Sequence, residues 1–214
     1  KLTSLEKGAS SPAWSPDGTR LAFLSGTNPA LDAVKKPKPK NEPGRVVTRP
    51  MFRMDNEGFL DFDHLDHVWV IPAAGGEARQ LTQGRFSEGA PRWTRDGRHI
   101  LFVSDRREEP WFGLEESRLW AVSPALESPT GGEALELVLD YTGAVMAFDQ
   151  RADGALATIG KVLDSVPHSY DQMDVLLANG AWPMRDPKRV NATRDHAFGE
   201  TLAADQHPPR GAGA

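Results

Sequence analysis

The side chains most capable of chemistry gather in Asp61-Phe62-Asp63-His64-Leu65-Asp66-His67, which holds three carboxylates and two imidazoles. Oxygen and nitrogen donors at this density are a ligand set for calcium or zinc. On an extended strand, however, alternate side chains point to opposite faces, which sends Asp61, Asp63 and Leu65 one way and His64 and Asp66 the other. The segment also lacks the central glycine of a calcium-binding hand loop, so the expectation is a solvated turn ahead of a strand, with no metal and no cofactor. The carboxylate pair Glu108-Glu109 could hold the ammonium end of a peptide, although a solvent-facing loop is its default reading. In Lys35-Lys36-Pro37-Lys38-Pro39-Lys40 the prolines stiffen the chain and the like charges extend it; an exposed loop is expected, with a place at a substrate entrance as its functional reading. Nucleophilic chemistry has less support. No serine sits in Gly-x-Ser-x-Gly, the setting that permits a sharp strand-to-helix turn at a nucleophile, and the absence of cysteine excludes thiolate sites and disulfides. No catalytic residue is assigned.

The elements that must position these residues come from an internal repeat. Pro12-Ala13-Trp14-Ser15-Pro16-Asp17-Gly18-Thr19-Arg20-Leu21-Ala22-Phe23-Leu24-Ser25 returns 79 residues later as Pro91-Arg92-Trp93-Thr94-Arg95-Asp96-Gly97-Arg98-His99-Ile100-Leu101-Phe102-Val103-Ser104. Leu2-Thr3 returns at the same offset as Leu81-Thr82. A weaker third copy runs from Ala147-Phe148 through Asp153-Gly154 to Ile159, with the aromatic displaced and the turn proline gone. In Ser-Pro-Asp-Gly, proline presets φ, aspartate caps the turn and glycine takes the positive φ that closes it, so each copy reads as a β-hairpin. Strands rich in β-branched and aromatic residues follow at Asp66–Ile71, Ser117–Val122 and Gln172–Ala178. Gly-Gly turns and short closing strands at Ala78–Thr82 and Ala134–Val138 end the first two units.

Four antiparallel strands per unit is one propeller blade. The expected fold is therefore all-β, a partial β-propeller of about three four-stranded antiparallel blades with incomplete flanking strands. Residues 1–11 read as the closing strand of a preceding blade and 12–82 as a blade with an insertion at about 27–62. Residues 83–139 and 140–191 read as two further blades, and 192–214 as the start of another or a disordered tail. Trp14, Trp93 and Trp120 are expected to pack between blades. Three blades leave sheet faces and edges unprotected, so remaining blades or a partner segment are expected to complete the ring.

Composition narrows the partners. The 214 residues carry 25 Lys+Arg against 30 Asp+Glu, a net charge of −5 without the clustered basic footprint that nucleic acid needs. No apolar run is long enough to span a bilayer as a helix, and no charged-then-apolar segment opens the chain. Neither nucleic acid nor membrane is an expected partner. A cytoplasmic location is expected, with secretion or a periplasmic site left open because a leading segment would lie ahead of Lys1.

The Trp-Ser-Pro-Asp-Gly hairpin is similar to the blade repeat of TolB-type and many peptidase propellers. More specific is Arg45-Val46-Val47-Thr48-Arg49-Pro50-Met51-Phe52-Arg53-Met54-Asp55-Asn56-Glu57-Gly58-Phe59-Leu60-Asp61, followed by His67-Val68-Trp69-Val70, Gly76-Glu77-Ala78-Arg79-Gln80-Leu81-Thr82 and Phe102-Val103-Ser104-Asp105-Arg106. This set resembles the propeller of the prolyl oligopeptidase family of serine peptidases, in its acylaminoacyl-peptidase and dipeptidyl-peptidase branch. It departs from that pattern at Asp55-Asn56, where the family more often has Asp-Gly, and at Thr94-Arg95, where it more often has Ser-Pro. The resemblance implies a propeller that admits short peptides to an α/β-hydrolase domain bearing the catalytic triad, a domain this chain lacks, and members that often oligomerise. Arg53 and Asp55 are then the first candidates for substrate contact, with Glu108 and Glu109 behind them. The alternative is a stand-alone TolB-like propeller that binds proteins. A propeller with its own active site has less support, since the Ser-x-Asp-x-Gly-x-x-Trp box of sialidases is missing.

Overall fold

The first two Asp-Gly corners close with the same backbone hydrogen bonds. Ser15 N donates to Arg20 O and Gly18 N to Ser15 O, both at 2.9 Å; Thr94 N to His99 O and Gly97 N to Thr94 O repeat those distances. Asp17 Oδ1 accepts from Ser15 Oγ at 2.6 Å and Thr19 N at 3.0 Å, as Asp96 Oδ1 does from Thr94 Oγ1 and Arg98 N. These bonds hold the Asp17 carboxyl down at about 2 and lower that of Asp96. Gly18 and Gly97 take φ of 70° and 69°, the left-handed region that β-carbons disfavour. Thr94 thus replaces Ser15 without loss. The third corner is one residue tighter, with Arg151 N bonded to Ala155 O at 2.8 Å.

The computed structural model describes residues 1–34, 44, 46–48, 52–55, 58–108, 110, 116–125, 134–162 and 173–190. The strands are β1 (Ser10–Trp14), β2 (Arg20–Ser25), β3 (Arg53–Met54), β4 (Gly58–Phe59), β5 (His67–Pro72), β6 (Arg79–Gln80), β7 (Arg92–Trp93) and β8 (Ile100–Ser104). They continue as β9 (Arg118–Val122), β10 (Leu135–Asp140), β11 (Gly143–Gln150), β12 (Leu156–Val162), β13 (Asp174–Ala178), β14 (Met184–Arg185) and β15 (Lys188–Arg189); one helical turn, α1, spans Pro29–Asp32. Three sheets form, in the orders β1-β2-β5-β6, β7-β8-β9-β10 and β11-β12-β13-β15, and β3-β4 is a separate hairpin. Within each sheet neighbouring strands are antiparallel. This is blade topology three times over, so the fold is all-β and propeller-type. Residues 1–9 form no strand; Leu5 packs on Phe23, Trp69 and Ile71 of the first sheet.

Two features break the repeat. β14 leaves the third unit and pairs in parallel with β10, Leu139 opposite Met184, adding a fifth strand to the second sheet. Between β11 and β12 a bulge follows Val145, and the strands approach so closely that a Cβ on Gly160 would lie 2.1 Å from the Ala144 carbonyl oxygen.

The core lies between the sheets. Ala22, Leu24, Val68 and Val70 of the first sheet meet Trp93, Ile100, Phe102 and Val122 of the second. The opposite face of the second sheet, with Leu101, Leu119 and Ala121, meets Phe148, Leu156 and Ala178 of the third, and Met184 joins them. Alternation along each strand produces these two-faced sheets. The tryptophans behave differently from one another. Trp93 is buried between sheets, whereas its repeat equivalent Trp14 is 61% exposed and lines a cavity that Trp93 and Phe148 also line. Trp120 is equivalent instead to Trp69: their indole N–H groups donate to Ser104 O and Ser25 O. In the third unit the aromatic position holds Gln150, whose side-chain and backbone oxygens accept from Arg95 N and Nε at 3.0 and 3.1 Å. No helix among the described residues is long and apolar enough to cross a membrane.

Candidate functional site

The register Ser25 opposite His67 fixes where the chain leaves the first sheet after β2 and where it returns as β5. The excursion between them begins with Asn28, whose Oδ1 accepts from Leu31 N while Asp32 Oδ2 accepts from Asn28 N at 2.8 Å, a reciprocal cap that seats Pro29 in the first turn of α1. Farther out, β3 and β4 pair with Arg53 opposite Phe59, and the Phe52 and Phe59 rings lie 6.2 Å apart. Arg53 and Asp55 are both exposed on this hairpin. Glu108 is exposed beyond β8, and among the described residues no hydrogen bond or ion pair joins it to Arg53 or Asp55. Glu109 and the basic run 35–40 lie outside the described residues.

The acidic and histidine-rich segment forms a turn ahead of β5, as expected, so the two-face alternation of an extended strand does not apply to its side chains. His64 N donates to Asp61 O across a turn, so Asp61 and His64 share one side rather than opposite faces. His64 Nδ1 stands 2.7 Å from Asp61 Oδ2, and Nε2 stands 3.0 Å from Asp32 Oδ1 at the start of the excursion. Asn28 Nδ2 donates to Asp63 O at 2.9 Å, and Lys7 Nζ lies 3.7 Å from Asp61. The two ends of the excursion are thereby laced together through one imidazole. Burial pulls the His64 pKa down, but the bonds to Asp61 and Asp32 and the Asp61 charge prevail and leave it above its ordinary value. For Asp61 burial acts upward and is outweighed by the His64 and Asp63 hydrogen bonds, leaving its pKa lowered.

His67 belongs to a different network. Its Nδ1 is 2.8 Å from Glu88 Oε2, which also accepts from Thr82 Oγ1 at 2.9 Å, and Arg106 Nη2 reaches Glu88 Oε1 at 2.5 Å. The Arg106 guanidinium lies over the Phe86 and Phe102 rings, 5.2 and 5.7 Å from their centroids. Burial pushes the Glu88 carboxyl above its usual value, against the pull of His67 and Arg106. With its side chain fully covered, Glu88 ties the first sheet to the second and offers nothing to a ligand. Sequence reasoning missed both the Asp32–His64 pairing and Glu88. The reciprocal cap at Asn28-Pro29 was the one local signal for the former; the latter depends on contacts between distant segments.

A polar groove of about 390 Å³ runs between the second and third hairpins, lined by Arg95, Asp96, His99, Arg151, Asp153 and Trp182 among others. Its charges are largely spent on one another and on their own turns: Arg151 bonds Asp153, and His99 meets the Trp182 ring at 5.0 Å. Among the described residues no group of three His, Asp or Glu side chains could hold a metal ion.

No protein-family model matches the chain. Over 110 residues, 50% of its length, it is 26% identical to the uncharacterized peptidase YuxL of Bacillus subtilis (strain 168). Over 118 residues, 47% of its length, it is 28% identical to the Tol-Pal system protein TolB of Bordetella pertussis. The chain spans only 17% of the first relative and 25% of the second. Among solved structures, the acylaminoacyl peptidase of Pyrococcus horikoshii is similar over 85% of this chain and 25% of its own, at a TM-score of 0.45 and 17% identity. The proteins this chain is similar to thus include both peptidases and TolB proteins.

Proposed function

We propose that this chain is a non-catalytic propeller segment of a serine peptidase of the prolyl oligopeptidase type, gating and selecting short peptides for an α/β-hydrolase domain outside this sequence. The observation that carries this reading is the excursion between β2 and β5. In sequence it holds the residues most like those of peptidase propellers, and in space it sets Arg53 and Asp55 on an exposed hairpin at one end of a sheet. The guanidinium and the carboxylate supply one group for each charged end of a peptide. The similarity to a Bacillus peptidase supports the same reading. The comparable similarity to TolB favours a second one, a protein-binding propeller without a hydrolase.

Titrating the isotope-labelled chain with di- and tripeptides tests the first reading. Amide shifts are expected at residues 52–55 and 58–60, and Arg53→Ala or Asp55→Ala should weaken binding about tenfold, the loss of a contact worth ~1.4 kcal/mol. Shifts confined to other segments, or none at all, would count against it. A serine-directed fluorophosphonate should leave the chain unlabelled; labelling would show a nucleophile this reading does not contain.

A further inference from the structure

An imidazole has two ring nitrogens but, when neutral, a single N–H to donate. Both nitrogens of His64 face carboxylate oxygens, Nδ1 that of Asp61 at 2.7 Å and Nε2 that of Asp32 at 3.0 Å. An ionised carboxylate accepts and cannot donate. Both contacts are therefore hydrogen bonds when the ring is an imidazolium, whereas in the neutral ring one nitrogen lone pair is set against an oxygen lone pair. The other bonds of the clasp do not need that proton: Asn28 Nδ2 donates to Asp63 O at 2.9 Å, and Leu31 N to Asn28 Oδ1, in either state of the ring.

Which contact gives way follows from what else holds each carboxylate. Asp61 shares a turn with His64, and its Oδ1 also accepts from Asp63 N at 3.2 Å. That turn is seated on the sheet: the His64 carbonyl lies so close to Gly26, just after β2, that a Cβ there would stand 2.6 Å from the oxygen. Asp32 comes from the other end of the excursion, on a single helical turn with no buried residue. A neutral ring thus keeps its N–H on Nδ1 for Asp61 and turns a bare Nε2 toward Asp32. Asp61 in turn follows Leu60, whose N–H closes the β3–β4 hairpin on Phe52 O at 3.0 Å. The clasp stands at the foot of the hairpin that carries Arg53 and Asp55.

We propose that the clasp is a proton-operated latch on the base of the excursion: the imidazolium of His64 holds α1 to the 61–64 turn, and the neutral ring releases it at Asp32, with Asn28 as the hinge. The charged groups around the ring are Asp61 and Asp63 in its own turn, Asp32 from α1, Lys7 beside Asp61, and Asp66 beside Gly26. Burial and Lys7 oppose the proton, and the bonds to Asp61 and Asp32 outweigh them. The latch is independent of the peptidase reading, since it concerns how the excursion is held and not what it binds.

Asp32→Asn tests it, because the expected sign reverses. Asp32 Oδ2 accepts from Asn28 N at 2.8 Å. With an amide in place of the carboxylate, the oxygen keeps that bond and the NH2 faces His64 Nε2, a contact that needs the bare nitrogen of the neutral ring. Hydrogen exchange of residues 28–34, corrected for intrinsic rates, is followed between about pH 5 and 9 beside the NMR titration of the His64 ring. In wild type, protection should fall about tenfold as pH rises, at the midpoint of the His64 titration. In Asp32→Asn it should rise instead. Asp32→Ala replaces that variant if its strand circular dichroism is lost, and there protection should be low and level across the range. A wild-type profile that is flat or turns at another midpoint, an Asp32→Asn profile of wild-type sign, or pH dependence kept in Asp32→Ala would each overturn the latch.

Discussion

Glu88 lies fully covered between the first two sheets, its carboxylate met by His67, Thr82 and Arg106. A carboxylate buried without partners costs several kcal/mol, and here the hydrogen bonds and the guanidinium offset that cost. Trp93 and Trp14 show how far context decides a residue's worth. Trp93→Ala should destabilise the chain by about 3–5 kcal/mol, through lost burial and an inter-sheet hydrogen bond. Trp14→Ala, at the same repeat position but solvent-facing, should change stability by less than about 0.5 kcal/mol in dilute solution. Urea unfolding of both variants checks this; equal losses would mean that the exposed indole has a seat within the chain. The sequence shows both residues as one repeat position, and only the stacking of the sheets separates them. Gln150 is a further case, a polar residue that takes over the inter-sheet contact by bonding Arg95.

Among the elements, the hairpins were legible because their determinants are local: proline, aspartate and glycine act within one turn. The strands at 67–72, 118–122 and 174–178 followed from their apolar patterns for the same reason. The turn ahead of β5 was legible, but the split of its side chains between two faces was not correct, because alternation assumes an extended chain whereas the Asp61–His64 turn brings two side chains to one side. The bond from His64 to Asp32 spans 32 residues, and only the cap at Asn28-Pro29 marks one of its ends locally. This clasp has a pH dependence whose sign follows from its partners. The raised pKa of His64 means that its contribution is complete below about 6.5, the unfolded value, and fades as pH rises through the higher folded value. The lowered pKa of Asp61 means the reverse, a contribution complete above about 3.9 that is lost as pH falls through its folded value. Asp32, Asp63 and Lys7 complete the charged surroundings. Hydrogen exchange, corrected for intrinsic rates, should show residues 28–34 and 58–64 best protected between those bounds and looser at alkaline pH. His64→Gln should flatten the alkaline side. A profile unchanged in that variant would assign the loosening to another group.

At the scale of the molecule, the three sheets stack through two apolar layers, and the layers are not equivalent. The second and third sheets share Met184 and the parallel pairing of β14 with β10, whereas the first and second share side-chain contacts and the Glu88 network. Native-state hydrogen exchange should therefore find the second and third sheets opening as one unit. Met184→Ala should cost about 2–5 kcal/mol and lower protection in both, while β2 and β5 keep more of theirs. Independent opening of β9 and β12 in that variant would contradict the shared unit. This connection was invisible in the sequence because two-residue parallel pairing has no periodic signature.

The pairing of β14 with β10 also orders events at the ribosome. Chains emerge N-terminus first, so the first sheet holds all its strands once Gln80 is out. The second sheet keeps β10 as a bare edge until Met184 and Arg185 have been synthesised. During that interval β10, with its unpaired backbone groups, is the strand that a chaperone or a neighbouring nascent chain would meet first.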